Sequence, residues 1–176
     1  MEALRHEVIP VTVEALHVSS VHAYEGRPAD GPRPDPAPVA HRSIEVRANL
    51  GIVGDRYFNH AAHRNAAVTV FAVESLDALG ITASPLLTRR NIVLRGFRID
   101  DLAARPGTAG AVFSLDSGAG AVRFQAHRPA NPCAWMDVVL GSGAFRGLRG
   151  HGGVRCVPLD DGTLELGPAV LAVVSA

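Results

Sequence analysis

The sequence predicts a mainly β protein: a β-barrel-like domain with a few short helices. Three observations carry that expectation. Short β-branched apolar runs recur along the chain, Gly and Pro punctuate them closely, and only brief stretches show helical spacing. At 176 residues one domain with its own core is expected, so residues 1–176 are taken together.

The elements follow in order. Val11 to Ser19 sets Val11, Val13 and Ala15 against Thr12 and Glu14, the alternation of a strand. Pro28, Pro32, Pro34, Pro36 and Pro38 then crowd a stretch at about 26–38, which reads as an extended loop, a linker or a lid. Ser43 to Arg47 is a second strand, and Gly51 and Gly54 imply a tight turn through Asp55 and Arg56. Phe58 to Asn65 reads as a loop. Ala66 to Ala72 is a continuous apolar run, a buried strand, and Glu74 to Leu79 is a short helix that Gly80 can stop. Asn91 to Leu94 is another strand. Val112 to Leu115 and Val122 to Ala126 form a hairpin across the Asp116–Gly120 turn. Ala134 to Leu140 is a short helix ended by Gly141. Val154 to Val157, Leu164 to Leu166 and Val170 to Val174 close the domain, with Asp161-Gly162 as a turn.

Composition excludes several chemistries. The formal net charge is zero, which argues against a nonspecific nucleic-acid binder. All seventeen basic residues are Arg, so there is no lysine for a pyridoxal phosphate Schiff base or a P-loop. The two cysteines, Cys133 and Cys156, form neither a CxxC pair nor an iron–sulfur set. No apolar run approaches the ~20 residues that cross a bilayer, and no secretory leader pattern is evident. A cytoplasmic, reducing location is expected, with no membrane and no nucleic-acid partner.

Two segments hold the candidate site. Pro132 fixes its own φ and keeps Asn131 extended, which places Cys133 just before the expected helix. There the thiol could act as a soft ligand or sulfur carrier, its thiolate favoured by the helix dipole, or be an ordinary apolar Cys. Cys156, inside a strand, reads as structural. Upstream, Arg89 and Arg90 offer planar forks for an anion, or form a solvated pair, and Asn91 offers an amide for a heterocycle edge. Arg64 and Asn65 suggest a second anion-binding corner. His60 and His63 form HxxH with Asp55 near, but they stand on a loop, whereas a metal site needs three or more convergent ligands on rigid elements. His127 is a base or a satisfied loop histidine. Gly150 to Gly153 could cradle an anion through backbone N–H groups.

Taken in order, these segments resemble the MOSC domain, the C-terminal module of molybdenum cofactor sulfurases that also occurs as small stand-alone bacterial proteins. The match runs through Gly51–Arg56, Val68–Leu76, Arg89–Gly96, Pro132-Cys133 and Gly150–Val157 followed by Gly162, about residues 45 to 170. It departs at Gly167-Pro168, where the family often has Gly-Asp. The resemblance implies a β-barrel-like fold and a molybdenum–pterin cofactor, with Cys133 as catalytic molybdenum ligand or persulfide carrier. It implies that Arg89, Arg90 and Asn91, with Arg64 and Asn65, hold the cofactor. The expected activity is reduction of N-hydroxylated small-molecule substrates, with electrons from a separate reductase. The alternative is a non-enzymatic sulfur carrier or cofactor-binding module.

Overall fold

The computed structural model describes residues 6–174; the expected domain's ends, residues 1–5 and 175–176, lie outside that range. Ten strands are described: β1 (His6–Leu16), β2 (Ser43–Arg47), β3 (Gly51–Ile52), β4 (Val68–Ala72), β5 (Ile92–Arg95), β6 (Val112–Asp116), β7 (Ala121–Pro129), β8 (Val154–Pro158), β9 (Gly162–Glu165) and β10 (Gly167–Val174). Three short helices accompany them: α1 (Glu74–Asp77), α2 (Trp135–Val139) and α3 (Ala144–Gly147). The mainly β expectation holds. Among the described residues no helix is long and apolar enough to cross a membrane.

Seven strands close into a barrel in the order β1-β10-β6-β7-β8-β4-β5, and β5 pairs back onto β1. Every barrel contact is antiparallel except β4 with β5. That parallel pair needs a crossover, and residues 73–91 supply it. β2, β3 and β9 form a small side sheet.

The barrel interior is apolar, with Phe113, Phe124, Leu115, Ile92, Leu94 and Val154 shut from solvent. Phe113 and Phe124 are direct cross-strand partners, their rings stacked 5.4 Å apart. Such a pair adds about 0.5–1.5 kcal/mol beyond simple burial. β4 is buried at every position because its two faces meet different partners. Val68, Val70 and Ala72 face the barrel core, while Phe71 packs outside it with Val93, Leu76, Trp135 and Met136. This is why its sequence is continuously apolar rather than alternating. β6 and β7 do alternate, having one face in the core and one towards water.

Several boundaries differ from the sequence expectation. The first strand runs His6–Leu16 rather than Val11–Ser19, because β10 pairs with its N-terminal half. The 58–65 loop contains a kinked 3-10 turn, Ala61–Ala66, and further 3-10 turns form at Pro85–Thr88 and Ile99–Leu102. Gly162 opens β9 instead of completing a turn. A Cβ there would lie 2.5 Å from Val122 Cγ2, so glycine lets β9 cross close to β7.

Candidate functional site

At one end of the barrel, three loops meet around Asn91. This residue precedes β5 and is 1 % exposed. Its Oδ1 accepts from the Thr69 backbone N–H at 3.0 Å and from the Thr69 hydroxyl at 3.1 Å. Its Nδ2 donates to the His17 carbonyl at 3.0 Å and to Asp55 Oδ1 at 3.2 Å. All four hydrogen-bonding positions of the amide are therefore filled. Asn91 builds the site's floor and has no capacity left to read a heterocycle, which corrects the role expected for it.

Asp55, at the Gly54 turn, extends this network. Its Oδ1 accepts from Ser19 N–H and its Oδ2 from Tyr57 N–H, each at 3.3 Å. Burial pushes the Asp55 carboxyl above its ordinary range, opposed by the adjacent Arg56. Asp55 is thus a linker between the 17–19 and 55–57 loops.

The arginine pair separates into two roles. Arg89 adopts a left-handed backbone, φ 55°, at the end of the Pro85–Thr88 turn. Its side chain turns under the proline-rich loop and donates from both Nη atoms to Asp35, each bond 2.9 Å. A third bond, also 2.9 Å, goes to the Val21 carbonyl, and the guanidinium lies 5.4 Å from the Tyr24 ring centre. The Arg89 fork, aided by the Ser19 hydroxyl, holds the Asp35 carboxyl below the usual carboxylate range. Arg89 is therefore neutralised within the protein rather than open to an anion, a second correction.

Arg90 points the other way. Its Nε donates to the Gly152 carbonyl at 2.8 Å, and Nη2 donates to Ala130 and Asn131 carbonyls at 3.1 and 3.2 Å. It staples the segment leading to Cys133 against the glycine turn. Burial, with Arg155 nearby, lowers its pKa to about 10, so it remains charged at neutral pH. No carboxylate neutralises it among the described residues.

Arg56 was not singled out by the sequence. Its side chain is 10 % exposed, and among the described residues it makes only two long bonds, to Asp55 Oδ1 and to the Arg89 carbonyl, each 3.4 Å. Its buried Nε has no partner among the described residues. Such an orphan donor calls for an acceptor that the protein does not provide.

Cys133 is exposed and stands immediately before Ala134, the residue that caps α2. Five residues make α2 too short for the dipole expected from the sequence. The arginines supply the local positive charge instead. A cavity of about 120 Å³ brings together Cys133, Arg56, Arg89, Arg90 and Tyr57. Beside it lies a larger cavity of about 540 Å³ under the proline-rich loop; Ala23, Tyr24 and Arg89 line both.

Other expected residues lie elsewhere. Arg64 and Asn65 are exposed on the Ala61–Ala66 turn. Asn65 lines a separate cleft of about 340 Å³ with His63, His127 and Arg128, and neither Arg64 nor Asn65 lines the Cys133 cavity. Burial lowers the His127 pKa. The His60 and His63 rings are 4.7 Å apart. The glycine turn is not an anion cradle. A Cβ on Gly152 would sit 2.1 Å from the Ala130 oxygen and one on Gly153 2.3 Å from the Val70 oxygen, and Gly153 N–H is taken by Asp100 at 2.8 Å. Its glycines permit close backbone packing. Cys156 is fully buried in the barrel core, where burial pushes its thiol pKa well up. A cleft of about 630 Å³ beside Glu74, Arg98 and His151 is lined by none of Cys133, Arg64, Asn65, Arg89, Arg90 and Asn91.

No family model matches the chain, and no curated protein matches it. Solved structures do. The chain is similar to the YUAD protein from Bacillus subtilis, with a TM-score of 0.70 at 15 % identity, over 98 % of this chain and 100 % of that one. A hypothetical protein of known structure gives a TM-score of 0.59 at 14 % identity, over 97 % of this chain and 70 % of that one. At such identities the likeness shows the shared barrel fold alone.

Proposed function

We propose that this chain is a molybdenum–pterin cofactor-binding protein of the MOSC type, acting as an oxidoreductase on N-hydroxylated small molecules. The observation that carries the reading is the Cys133 cavity: one accessible thiol faces two guanidiniums that are not fully satisfied. Arg56 has an orphaned buried Nε, and Arg90 a charge with only carbonyl partners. A soft sulfur donor beside cationic forks suits a group that joins a soft metal to a phosphate. At about 120 Å³ the cavity admits only part of such a cofactor.

Among the described residues no three His, Cys, Asp or Glu side chains converge as a metal site. Cys133 would thus be the protein's contribution to the metal, the remaining ligands coming from the cofactor. Arg56 and Arg90 would hold its anionic portion. When bound, the cofactor supplies the two-electron exchange that, with two protons, turns an N-hydroxyl group into N–H and water. The chain itself orients the reacting end, and its arginines stabilise negative charge in a partly dry cavity. The chain has no iron–sulfur ligand set, so a separate reductase would deliver the electrons.

The exposure of Cys133 also favours a second reading, in which its sulfur carries a persulfide and no turnover occurs. Metal analysis of protein made in a cofactor-competent host separates the two. Stoichiometric molybdenum that disappears in Cys133→Ala supports the first. A folded protein without molybdenum, carrying a persulfide by intact mass, sinks it and leaves the carrier.

A further inference from the structure

The cavity under the proline-rich loop poses a separate question. Its volume, about 540 Å³, lies in the range of small-molecule sites. Pro32 and Pro34 border it, Leu86, Leu87 and Val139 make its exposed surface mostly apolar, and six of the lining residues carry polar side chains. One of them is His17, which is 0 % exposed. Neither its Nδ1 nor its Nε2 has a hydrogen-bond partner among the described residues.

An imidazole with both nitrogens unmatched is unusual, because buried polar groups are nearly always paired. Its surroundings set its protonation state. Burial, then the charges of Arg89 and Arg56, lower its pKa to about 3, against a smaller opposing pull from Asp35. At neutral pH it therefore offers one N–H donor and one lone pair. The other charged groups in the cavity wall are Arg33, paired with Glu25, and Asp35 and Arg89, joined to each other as an ion pair. Each charge in the wall thus already has a partner within the protein, so a charged guest would lose its hydration without gaining a free counter-charge.

We infer that this cavity is a second binding site, for an uncharged small molecule with an apolar body and a group that both donates and accepts a hydrogen bond, such as a primary amide. The apolar walls take the body, and His17 takes the polar group. The site uses neither Cys133 nor Arg90, so it stands apart from the cofactor reading.

Benzamide is the probe, its binding followed by calorimetry and ligand-observed NMR. Wild-type protein is expected to bind it. His17→Leu keeps the bulk, removes both nitrogens and should weaken binding roughly tenfold. Leu87→Trp fills the cavity mouth from a position 38 % exposed, so it should abolish binding while leaving the fold intact. It decides the matter even if His17→Leu fails to fold. Cys133→Ala, which would disable the proposed molybdenum site, should bind benzamide as wild type does. No binding by wild type, or equal affinity in wild type and Leu87→Trp, would overturn the proposal and leave a bridging water as the partner of His17.

Discussion

The Asp35 carboxylate ties the proline-rich loop to Arg89 and Ser19 at the barrel end, which makes Asp35→Asn a direct probe of the site's architecture. The substitution keeps the shape and removes the charge. In the wild type, Asp35 accepts from both Nη atoms of Arg89 at 2.9 Å and from the Ser19 hydroxyl. An amide can accept one guanidinium bond, but its NH₂ then faces the other Nη, donor against donor. Arg89 would keep its bond to the Val21 carbonyl and little else. The Arg89 side chain is 8 % exposed and that of Asp35 is 23 % exposed. Breaking a fully buried pair costs about 3–5 kcal/mol, and hydrogen bonds to charged groups contribute about 1.5–3 kcal/mol each. Partial exposure of Asp35 puts the expected loss at about 2–3 kcal/mol. For a chain of this length the melting temperature should fall by roughly 5–10 °C. Thermal unfolding at pH 7, with urea titration to confirm an unchanged slope, gives the stability. Hydrogen exchange should show lost protection centred on residues 26–38. A variant as stable and as protected as wild type would refute the reasoning, since the fork would then contribute nothing net.

Two further expectations follow from burial. His17 titrates near 6.5 when unfolded and near 3 in the fold, so between those values the unfolded state binds the extra proton. Stability from this group is complete above pH 6.5 and falls with decreasing pH by about 1.4 kcal/mol per unit across the window; His17→Leu should flatten that slope, and an unchanged slope would contradict a buried neutral imidazole. Thiol titration of native protein should find one reactive group, Cys133, with Cys156 reacting only on unfolding. Cys133→Ala should abolish the native reaction, and two fast thiols in the wild type would contradict the closed barrel.

Local patterns were legible wherever pairing was local. The hairpin of β6 and β7 shows its alternation and its Gly-rich turn, and β2 was bounded correctly by Ser43 and Arg47. The parallel β4–β5 pair and the closure of β5 onto β1 were not legible, because they join runs far apart in sequence and leave no local signature. α3, four residues long, has too little periodicity to register. In the site, Pro132-Cys133 and the Arg89–Asn91 run stood out by residue type. Their partners did not. Arg89 meets Asp35 across 54 positions and Asn91 meets Asp55 across 36. Arg56 registered only as the end of the Gly51–Arg56 turn and His17 only as part of a strand, since an unmatched nitrogen is a property of the packed interior.

The tripeptide Arg89-Arg90-Asn91 explains why residue type alone misassigned the roles. The left-handed backbone at Arg89 breaks the course of the chain just before β5 begins. Three consecutive side chains then diverge: Arg89 to the proline-rich loop, Arg90 to the carbonyls before Cys133, and Asn91 into the interior. Each fixes one wall of the site. That division leaves Arg89 neutralised and Asn91 saturated, so the work of meeting an anion passes to Arg90 and to Arg56 from a different loop. A substitution at Arg89 or Asn91 would therefore act by moving walls, and one at Arg56 by removing a contact. The two kinds separate experimentally, because the first lowers stability with or without ligand and the second lowers affinity for inorganic phosphate in a protein that folds normally.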